Sequence, residues 1–428
     1  MKKINSNIFT LYFINILFGP LVYIGKIPIS SYHLIFIVLL YFLTFFIIYN
    51  EIKIRVFNFM IFFIFTMAFY TFMYAFKWFD FSYIHNFRDL IIIYSGFQYI
   101  VLIIILNEVI EYKNLTTLLI KINLYIIPVM GVIAILQLFN ILGVPNILAD
   151  FYSKIGSENR MEYLSFNPRA TATFNLEPNT FGLYMSFSLL MFHMFYKDLR
   201  IKRLSALCIF SFGIIGLLLS GSFTGVIIYI FTTSIYLVIY KKIGIKLIIG
   251  ISLSIIILTT FFYEDIERSL NRQKITVDNY IPSSLKHRFE ERWQNVFIDF
   301  KKNYMIGIGP AAVQLKYSTD NEYLDKFLRY GLLGGVVFIG FIIFLILSPW
   351  MKIKTTNDKF IRKLFVYSSL LAVAFALASL TGTAFKAKRV AELFWIYYSL
   401  PFINLMIIGK SSNNFISTKD YSRSTKIS

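Results

Sequence analysis

Long apolar runs separated by short polar connections extend along most of the 428-residue chain. A bilayer core requires about 20 consecutive, mostly apolar residues per helix, and twelve stretches come near that length. These predicted spans are 8–25, 31–49, 57–76, 90–106, 118–140, 174–196, 203–219, 221–240, 243–262, 326–348, 364–381 and 390–408. Because the runs are continuous and do not alternate, they predict transmembrane helices and not the strands of a β-barrel.

The composition agrees with this prediction. The chain is 57% hydrophobic and 15% charged, whereas soluble domains are roughly 45–50% apolar and about 25% charged. Such a chain lacks the polar surface of a soluble globule, which excludes soluble enzymes, disulfide scaffolds and disordered proteins. We therefore predict an all-α polytopic integral membrane protein with about 12 transmembrane helices.

The spans divide the chain into four parts. Residues 1–262 hold the first nine helices, and 263–325 form the only long hydrophilic loop. Residues 326–410 hold the last three helices. The polar tail 411–428 has little to bury and is predicted to be disordered and cytoplasmic.

The basic residues predict the orientation. Lys and Arg number 22 in the termini and the loops on their side, against 9 in the short loops of the other side. The positive-inside rule makes the first set cytoplasmic, so both termini are predicted to lie inside. Since this asymmetry accounts for most of the net charge of +19, it indicates membrane lipids and no nucleic acid as partners.

The first candidate site is the polar entry to the sixth span, which contains Arg169, Glu177 and Asn179. Charges near membrane depth are costly and normally face a cavity or a partner. Pro178 removes a backbone donor and is expected to break the helix there. The alternative is that Arg169 reaches lipid headgroups and Glu177 pairs with a nearby cation.

The second candidate lies in the long loop. Arg288 and Arg292 are four residues apart, so on a helix they share one face. Two guanidiniums placed in this way can bind a diphosphate through bidentate bonds, and His287 is a candidate general base. The alternative is a surface helix with internal salt bridges, since Glu290 and Glu291 lie between the arginines.

The third candidate begins at Gly307-Ile308-Gly309-Pro310, where the glycines permit a tight turn back to the membrane. Asp320 and Glu322 follow just before the tenth span, and the alternative role for both acids is helix capping. Arg389 belongs to a basic cluster, 386–389, between the last two spans. An anionic lipid or a diphosphate explains that cluster as well as interfacial snorkelling does.

Four of these segments carry a resemblance. RATATFNLEPNTFG at 169–182, LLLSGSFTG at 217–225, GIGP at 307–310 and TDNEYLDKFLRYGLLG at 319–334 occur in the same order in the O-antigen ligase/polymerase family. The chain resembles that family over residues 165–335, and its predicted spans with one large outer loop match the family's plan.

The resemblance implies a membrane-embedded, class C glycosyltransferase-like fold in the bacterial cytoplasmic (inner) membrane. It also implies transfer of a glycan from undecaprenyl diphosphate at the outer face, with neither metal nor other cofactor. Ligases of the family have a histidine followed by asparagine where this chain has Asp320-Asn321. That difference favours the polymerase branch, which joins lipid-linked repeat units into O-antigen or capsule.

The mechanism that the resemblance implies assigns roles to individual residues. Arginines would stabilise the leaving diphosphate, and a carboxylate or histidine would accept the proton of the acceptor hydroxyl. The catalytic candidates are Glu177, Asp320 and His287. The substrate-binding candidates are Arg169, Arg288, Arg292, Asn179, Asn321 and Arg389.

Two other functions stay open. The chain is alternatively an O-antigen ligase, which moves the glycan to a terminal acceptor, or a flippase for the same lipid-linked glycans. A transporter is expected to carry charges along several spans, whereas here they gather at the span ends. Besides the lipid-linked oligosaccharides, the candidate partners are a chain-length regulator and a flippase.

Overall fold

A computed structural model describes most of the apolar segments. The described residues are 6–24, 27–50, 57–75, 96–109, 115–152, 169–174, 177–240, 293–302, 304–310, 320–387 and 389–406. Helices dominate this part of the chain. Its strands are β1 (Leu21–Ile24) and β2 (Ile27–Ser30), which pair as an antiparallel hairpin.

The helices follow the order of the apolar runs. Within the described residues they are α1 (Ser6–Phe18), α2 (Ser31–Asn50), α3 (Asn58–Ala75), α4 (Phe97–Ile104, extended by a π-helical turn Ile105–Val109), α5 (Leu115–Leu138), α6 (Val144–Tyr152), α7 (Pro178–Phe195), α8 (Arg203–Leu219), α9 (Phe223–Ile235, extended by a π-helical turn Tyr236–Tyr240), α10 (Gln294–Lys302), α11 (Glu322–Ile353), α12 (Lys359–Ala378) and α13 (Val390–Met406). Short 3₁₀ turns lie at Ile141–Gly143 and Ala384–Lys386.

The helices are compatible with a multi-pass membrane protein. Among the described residues, α3, α5, α11 and α12 are long and apolar enough to cross a membrane, and further apolar helices are shorter. Every predicted span except 243–262 overlaps a helix within the described residues. That span lies outside the described residues, as do 263–292 of the predicted loop and the tail 411–428.

The predicted bounds 8–25 of the first span are wrong at their C-terminal end, where Gly19 and Pro20 interrupt the apolar run and α1 ends at Phe18. The Gly19 amide still bonds to Asn15 O at 2.7 Å, but Pro20 has no amide hydrogen to continue the ladder. The chain then enters the hairpin, which closes where the Ser31 amide donates to Pro20 O at 3.0 Å.

The predicted helix break at Pro178 is also wrong. Pro178 is the first residue of α7, a position where its missing N–H costs nothing and its fixed φ suits the helix. The polar residues before it therefore lie outside the helix, at its N-terminal end.

Helix α7 occupies the middle of the bundle. It packs against α5, α8, α9 and α12, and nearly every residue of its length is buried. At Gly182 and Gly225 the backbones of α7 and α9 approach so closely that a Cβ at Gly225 would lie 2.9 Å from Gly182 O. Ser186 Oγ donates across this contact to Gly225 O at 2.7 Å. Small residues with a polar bond between them are typical of helix packing in membranes.

Candidate functional site

Segments that are far apart in sequence meet at one end of the bundle, which we call the polar end. It comprises the described part of 169–180, the turn 220–222 between α8 and α9, the loop 304–310, the start of α11 at 320–330, and the connection 379–389 between α12 and α13. The following contacts hold these segments together.

Arg169 joins two of them. Its Nε donates to Ser220 O at 3.0 Å, and its Nη2 donates to Asn179 Oδ1 at 2.8 Å. Gly221 has a φ of 55°, and a Cβ there would lie 3.0 Å from Arg169 Nε. The glycine therefore allows the guanidinium to lie against the turn. The structure brings Arg169 and Asn179 together, and their predicted contact with substrate stays a prediction.

The rest of the RATAT segment is anchored through its backbone. Gln137 Oε1 accepts from the amides of Thr171 at 2.9 Å and Ala172 at 3.0 Å. Thr173 Oγ1 donates to Leu17 O at 2.5 Å. Because buried amides must find acceptors, Gln137 holds this non-helical segment in place below Arg169. Nothing in the sequence near Gln137 points to this role.

Glu177 immediately precedes α7. Its Oε2 accepts a bond from Thr180 Oγ1 at 3.0 Å, and the side chain is half-buried. One catalytic candidate thus lies at the N-terminal end of α7, where Arg169 donates to Asn179. Its role as proton acceptor stays a prediction.

The turn between α8 and α9 connects to a third segment. Ser220 Oγ accepts from the Ser222 amide at 3.1 Å, and Ser222 Oγ caps α9 by accepting from the Gly225 amide at 3.1 Å. The hydroxyls of Thr224 and Thr381 are 2.9 Å apart. The SGSFTG turn is therefore hydrogen-bonded to the connection between α12 and α13.

Helix α11 begins with an asparagine cap. Asn321 Oδ1 accepts from the Leu324 amide at 3.0 Å, and its Nδ2 donates to Leu380 O at 3.0 Å. Backbone groups thus engage both ends of this amide, and the predicted contact of Asn321 with substrate stays a prediction. Asp320 precedes the cap with a φ of 43°, and its catalytic role stays a prediction.

Glu322 is bound into the same connection. It is 1% exposed, its amide donates to Ser379 O at 2.8 Å, and its Oε2 accepts from Ser379 Oγ at 3.2 Å and the Phe385 amide at 3.1 Å. These bonds fasten the start of α11 to the segment that follows α12.

One turn further on, Asp325 lies between two cations. Its Oδ1 is 2.6 Å from Arg329 Nε, and its Oδ2 is 2.6 Å from Lys386 Nζ. Arg329 also donates through Nη1 to Pro310 O. The ammonium of Lys326 lies 5.1 Å from the centre of the Tyr70 ring. We call Glu322, Asp325, Lys326, Arg329 and Lys386 the Asp325 cluster.

Sequence reasoning named Glu322 and the basic cluster 386–389 separately, but it did not select Asp325, Lys326 or Arg329. The spacing of Asp325 and Arg329, four residues apart, was a readable signal for an ion pair on one helix face. No local sequence pattern predicts the ion pair of Asp325 with Lys386, because the two residues are 61 positions apart.

The GIGP motif stabilises a kink in α11. Gly331 has a φ of 68° and a ψ of −169°, which interrupts the helix. The freed carbonyls of Leu328 and Arg329 accept from the amides of Ile308 and Gly309, each at 2.9 Å. A helix kink leaves backbone groups that need partners, and the loop 304–310 provides them.

Arg389 was predicted to bind substrate, and that role stays a prediction; the structure places its side chain against the end of α1. Its side chain is fully buried, and it donates to Leu17 O at 3.2 Å and to Gly19 O, at the end of α1. The Tyr152 ring centre lies 5.0 Å from the guanidinium carbon. Burial lowers the pKa of Arg389. The ordinary pKa of arginine lies so far above neutral pH that the side chain stays charged. Arg389 therefore caps the free carbonyls of α1.

The remaining candidates, His287, Arg288 and Arg292, lie outside the described residues. Within the described residues, no group of three or more His, Cys, Asp and Glu side chains is placed to hold a metal ion. What the polar end does combine is several guanidiniums, ammoniums and carboxylates. Such a set can bind phosphate oxygens and can accept a proton.

Comparison with protein-family models finds no match for this chain, and comparison with curated proteins finds none either.

Proposed function

We propose that the chain is a polymerase that joins undecaprenyl-diphosphate-linked oligosaccharide repeat units into surface polysaccharide. It would act at the outer face of the bacterial cytoplasmic membrane, with about twelve spans, a class C-like fold and both termini inside. One observation carries the proposal. The four motifs on which the family resemblance rests are spread over residues 169–334, yet bonds such as Arg169–Ser220 and Ile308–Leu328 join them in pairs at the polar end.

The reaction forms one bond and breaks one. An acceptor hydroxyl oxygen attacks the anomeric carbon of the donor, and the bond from that carbon to the diphosphate oxygen breaks. The diphosphate leaves with the electron pair, so negative charge grows where a preplaced guanidinium stabilises it. Arg169 is our candidate for that guanidinium, because Ser220 and Asn179 hold it in one orientation.

The proton of the acceptor hydroxyl needs a base. Glu177 and Asp320 are our candidates, because they directly precede α7 and the cap of α11 at the polar end. General-base assistance typically contributes about 10²–10⁴-fold. Direct displacement of this kind inverts the anomeric configuration. A shared cleft for the two lipid-anchored substrates would add the benefit of proximity.

Arg169 provides the direct test. We expect Arg169→Ala to abolish chain growth when the purified protein in detergent receives lipid-linked repeat units. Arg169→Lys should be impaired as well, since lysine cannot reproduce the planar fork of arginine. Product length on a gel is the measurement, at equal amounts of folded protein.

Lys359→Ala is the matched control. Lys359 is exposed at the start of α12, at the other end of that helix, so its loss should leave chain length unchanged. Wild-type product lengths from Arg169→Ala would contradict the proposal.

One observation favours the flippase as a second candidate. Glu392, a buried acid inside α13, accepts from Tyr32 Oη at 3.2 Å, while its Oε2 has no hydrogen-bond partner in the described part of the chain. An ionisable side chain within a span is a candidate for a transport pathway. Translocation in sealed vesicles without chain growth in detergent would support the flippase. Transfer of the glycan to a terminal acceptor would support the ligase.

A further inference from the structure

We propose that the turn between α7 and α8, residues 197–203, binds the headgroup of an anionic phospholipid. This turn follows the C-terminal end of α7, whereas the polar end lies at the N-terminal end of that helix. The positive-inside rule predicts the cytoplasm on this side. The inference does not depend on the proposed function. The charge asymmetry of the whole sequence indicates attraction to lipids in general, and the contacts of this turn locate one site.

The turn presents four cations to its surroundings. Their side chains are all exposed, and they belong to Lys197, Arg200, Lys202 and Arg203. Among the described residues, the only polar or ring contact of these side chains is that of the Lys197 ammonium, which lies 5.8 Å from the centre of the Tyr196 ring. The four charged groups are therefore accessible to a ligand.

The acids near these cations are engaged within the fold. Asp198, the acid of the turn, has its Oδ2 2.5 Å from Lys363 Nζ on α12, so the charges of that pair cancel. Asp358, which precedes α12, accepts from the amides of Phe360 at 2.8 Å and Ile361 at 2.9 Å. Neither acid compensates the four cations of the turn, and such a concentration of one charge attracts an anion.

The backbone of Arg200 adopts an unfavourable conformation. Its φ is 52°, in the left-handed region that glycine adopts freely and other residues disfavour. The Arg200 amide donates to Lys197 O and the Ile201 amide donates to Tyr196 O, each at 3.1 Å. This pair of bonds is the Schellman motif, in which glycine is the usual left-handed residue. Arginine at this position thus adds a cation at a cost in backbone energy.

Apolar side chains beside the cations favour a lipid over an acidic protein segment. Leu204 and Leu207 on α8 are 74% and 61% exposed. Leu204 directly follows Arg203, and Leu207 lies three residues further on, on the same face of the helix. A phospholipid matches both features, because its phosphate can bond to the cations while its acyl chains cover the leucines. Basic residues at the cytoplasmic ends of membrane helices recognise anionic headgroups in this way.

Lipid titration of the full-length protein in neutral detergent tests the inference. Short-chain phosphatidylglycerol carries the anionic headgroup, short-chain phosphatidylcholine is the neutral control, and thermophoresis measures binding. Each basic residue near an anionic headgroup contributes about fivefold in affinity. The triple variant Arg200→Gln, Lys202→Gln and Arg203→Gln should therefore bind phosphatidylglycerol about a hundredfold more weakly. Added salt should weaken binding by the wild-type protein.

Arg200→Gly separates lipid binding from stability. Glycine removes the charge and relieves the left-handed backbone, so this variant should bind phosphatidylglycerol about fivefold more weakly. It should nevertheless unfold at the same or a higher temperature in neutral detergent. Lys301→Ala is the matched control, because Lys301 is exposed on α10, which leads to the loop 304–310 of the polar end. Its affinity for phosphatidylglycerol should equal that of the wild-type protein.

Wild-type affinity of the triple variant would overturn the inference, and so would equal binding of phosphatidylglycerol and phosphatidylcholine. Tighter binding of a polyglutamate peptide than of phosphatidylglycerol would replace the lipid with an acidic protein segment. Equal binding of glycerol phosphate, which lacks acyl chains, would contradict a lipid site and indicate a site for free phosphate. Absence of chain growth in the wild-type protein would remove the polymerase, whereas loss of phosphatidylglycerol binding in the triple variant would still support this site.

Discussion

Two partly buried pairs of aspartate and lysine lie at opposite ends of the bundle, and they are built differently. At the polar end Asp325 is 5% exposed and serves both Arg329 and Lys386. At the other end Asp198 is 33% exposed and serves Lys363 alone, at 2.5 Å. Lys363 there is only 9% exposed. The more accessible partner is therefore the lysine at the polar end and the aspartate at the other end.

The difference shows how the number of partners separates a structural pair from a candidate site. The charges of Asp198 and Lys363 cancel, and Lys363 also donates to Met194 O at 3.5 Å, so this pair joins α12 to the end of α7. At Asp325 the single negative charge is shared, and the accessible member is a cation. A pair of the first kind joins two helices with its charges cancelled, whereas Asp325 divides one negative charge between two cations.

The largest expected effect is that of Asp325→Asn. The amide keeps the shape but removes the charge, which leaves three cations near one another with Glu322 as the only anion of the cluster. Removing one partner from a buried ion pair costs about 3–5 kcal/mol. Chemical unfolding of the protein in detergent measures the loss.

Asp198→Asn is the matched control, because it breaks the pair at the other end with the same change of side chain. Asp198 is one-third exposed, so solvent screens the loss, and we expect about 1 kcal/mol. Equal destabilisation by the two substitutions would remove the distinction that we draw between the pairs.

Gly331→Ala should have the next largest effect. A Cβ at Gly331 would overlap the carbonyl oxygen of Met305, and its backbone lies in a region that side chains disfavour by about 2 kcal/mol. The variant should lose stability by about that amount or more. Gly340, in the same helix, has open space around it, so Gly340→Ala should be neutral or slightly stabilising. Thermal unfolding of both variants decides whether the kink is required.

The smallest effect concerns the bond between the two sides of the polar end. A double-mutant cycle with Thr224→Val and Thr381→Val should give a coupling of about 0.6 kcal/mol, the average for hydrogen bonds between membrane helices. Unfolding free energies of the two single variants and the double variant provide it. Additive effects would mean that the two hydroxyls do not stabilise each other.

The positions of the helices were largely readable from the sequence. Lipid cannot satisfy backbone polar groups, so a long apolar run has to form its hydrogen bonds within itself. The two errors occurred at prolines. Pro20 stops α1 and leads into a hairpin, and Pro178 starts α7 where a break was expected.

The location of the candidate site was partly readable. Arg169 and Asn179 were selected because charged and polar residues gather where a span begins, and the structure joins them directly. The same reasoning selected Arg389, whose side chain donates to the backbone at the end of α1. A charge near a span end indicates that it needs partners, but it does not indicate whether those partners are substrate atoms or backbone carbonyls.

The sequence alone thus determined which segments become helices and at which of their ends the charges collect, because both depend on neighbours within a few residues. Only the tertiary structure decided that Asp325 meets Lys386, that Gln137 holds the RATAT segment and that Arg389 is buried. These partners belong to helices and loops far apart in the chain. Their meeting depends on how the helices pack, which no local pattern of residues encodes.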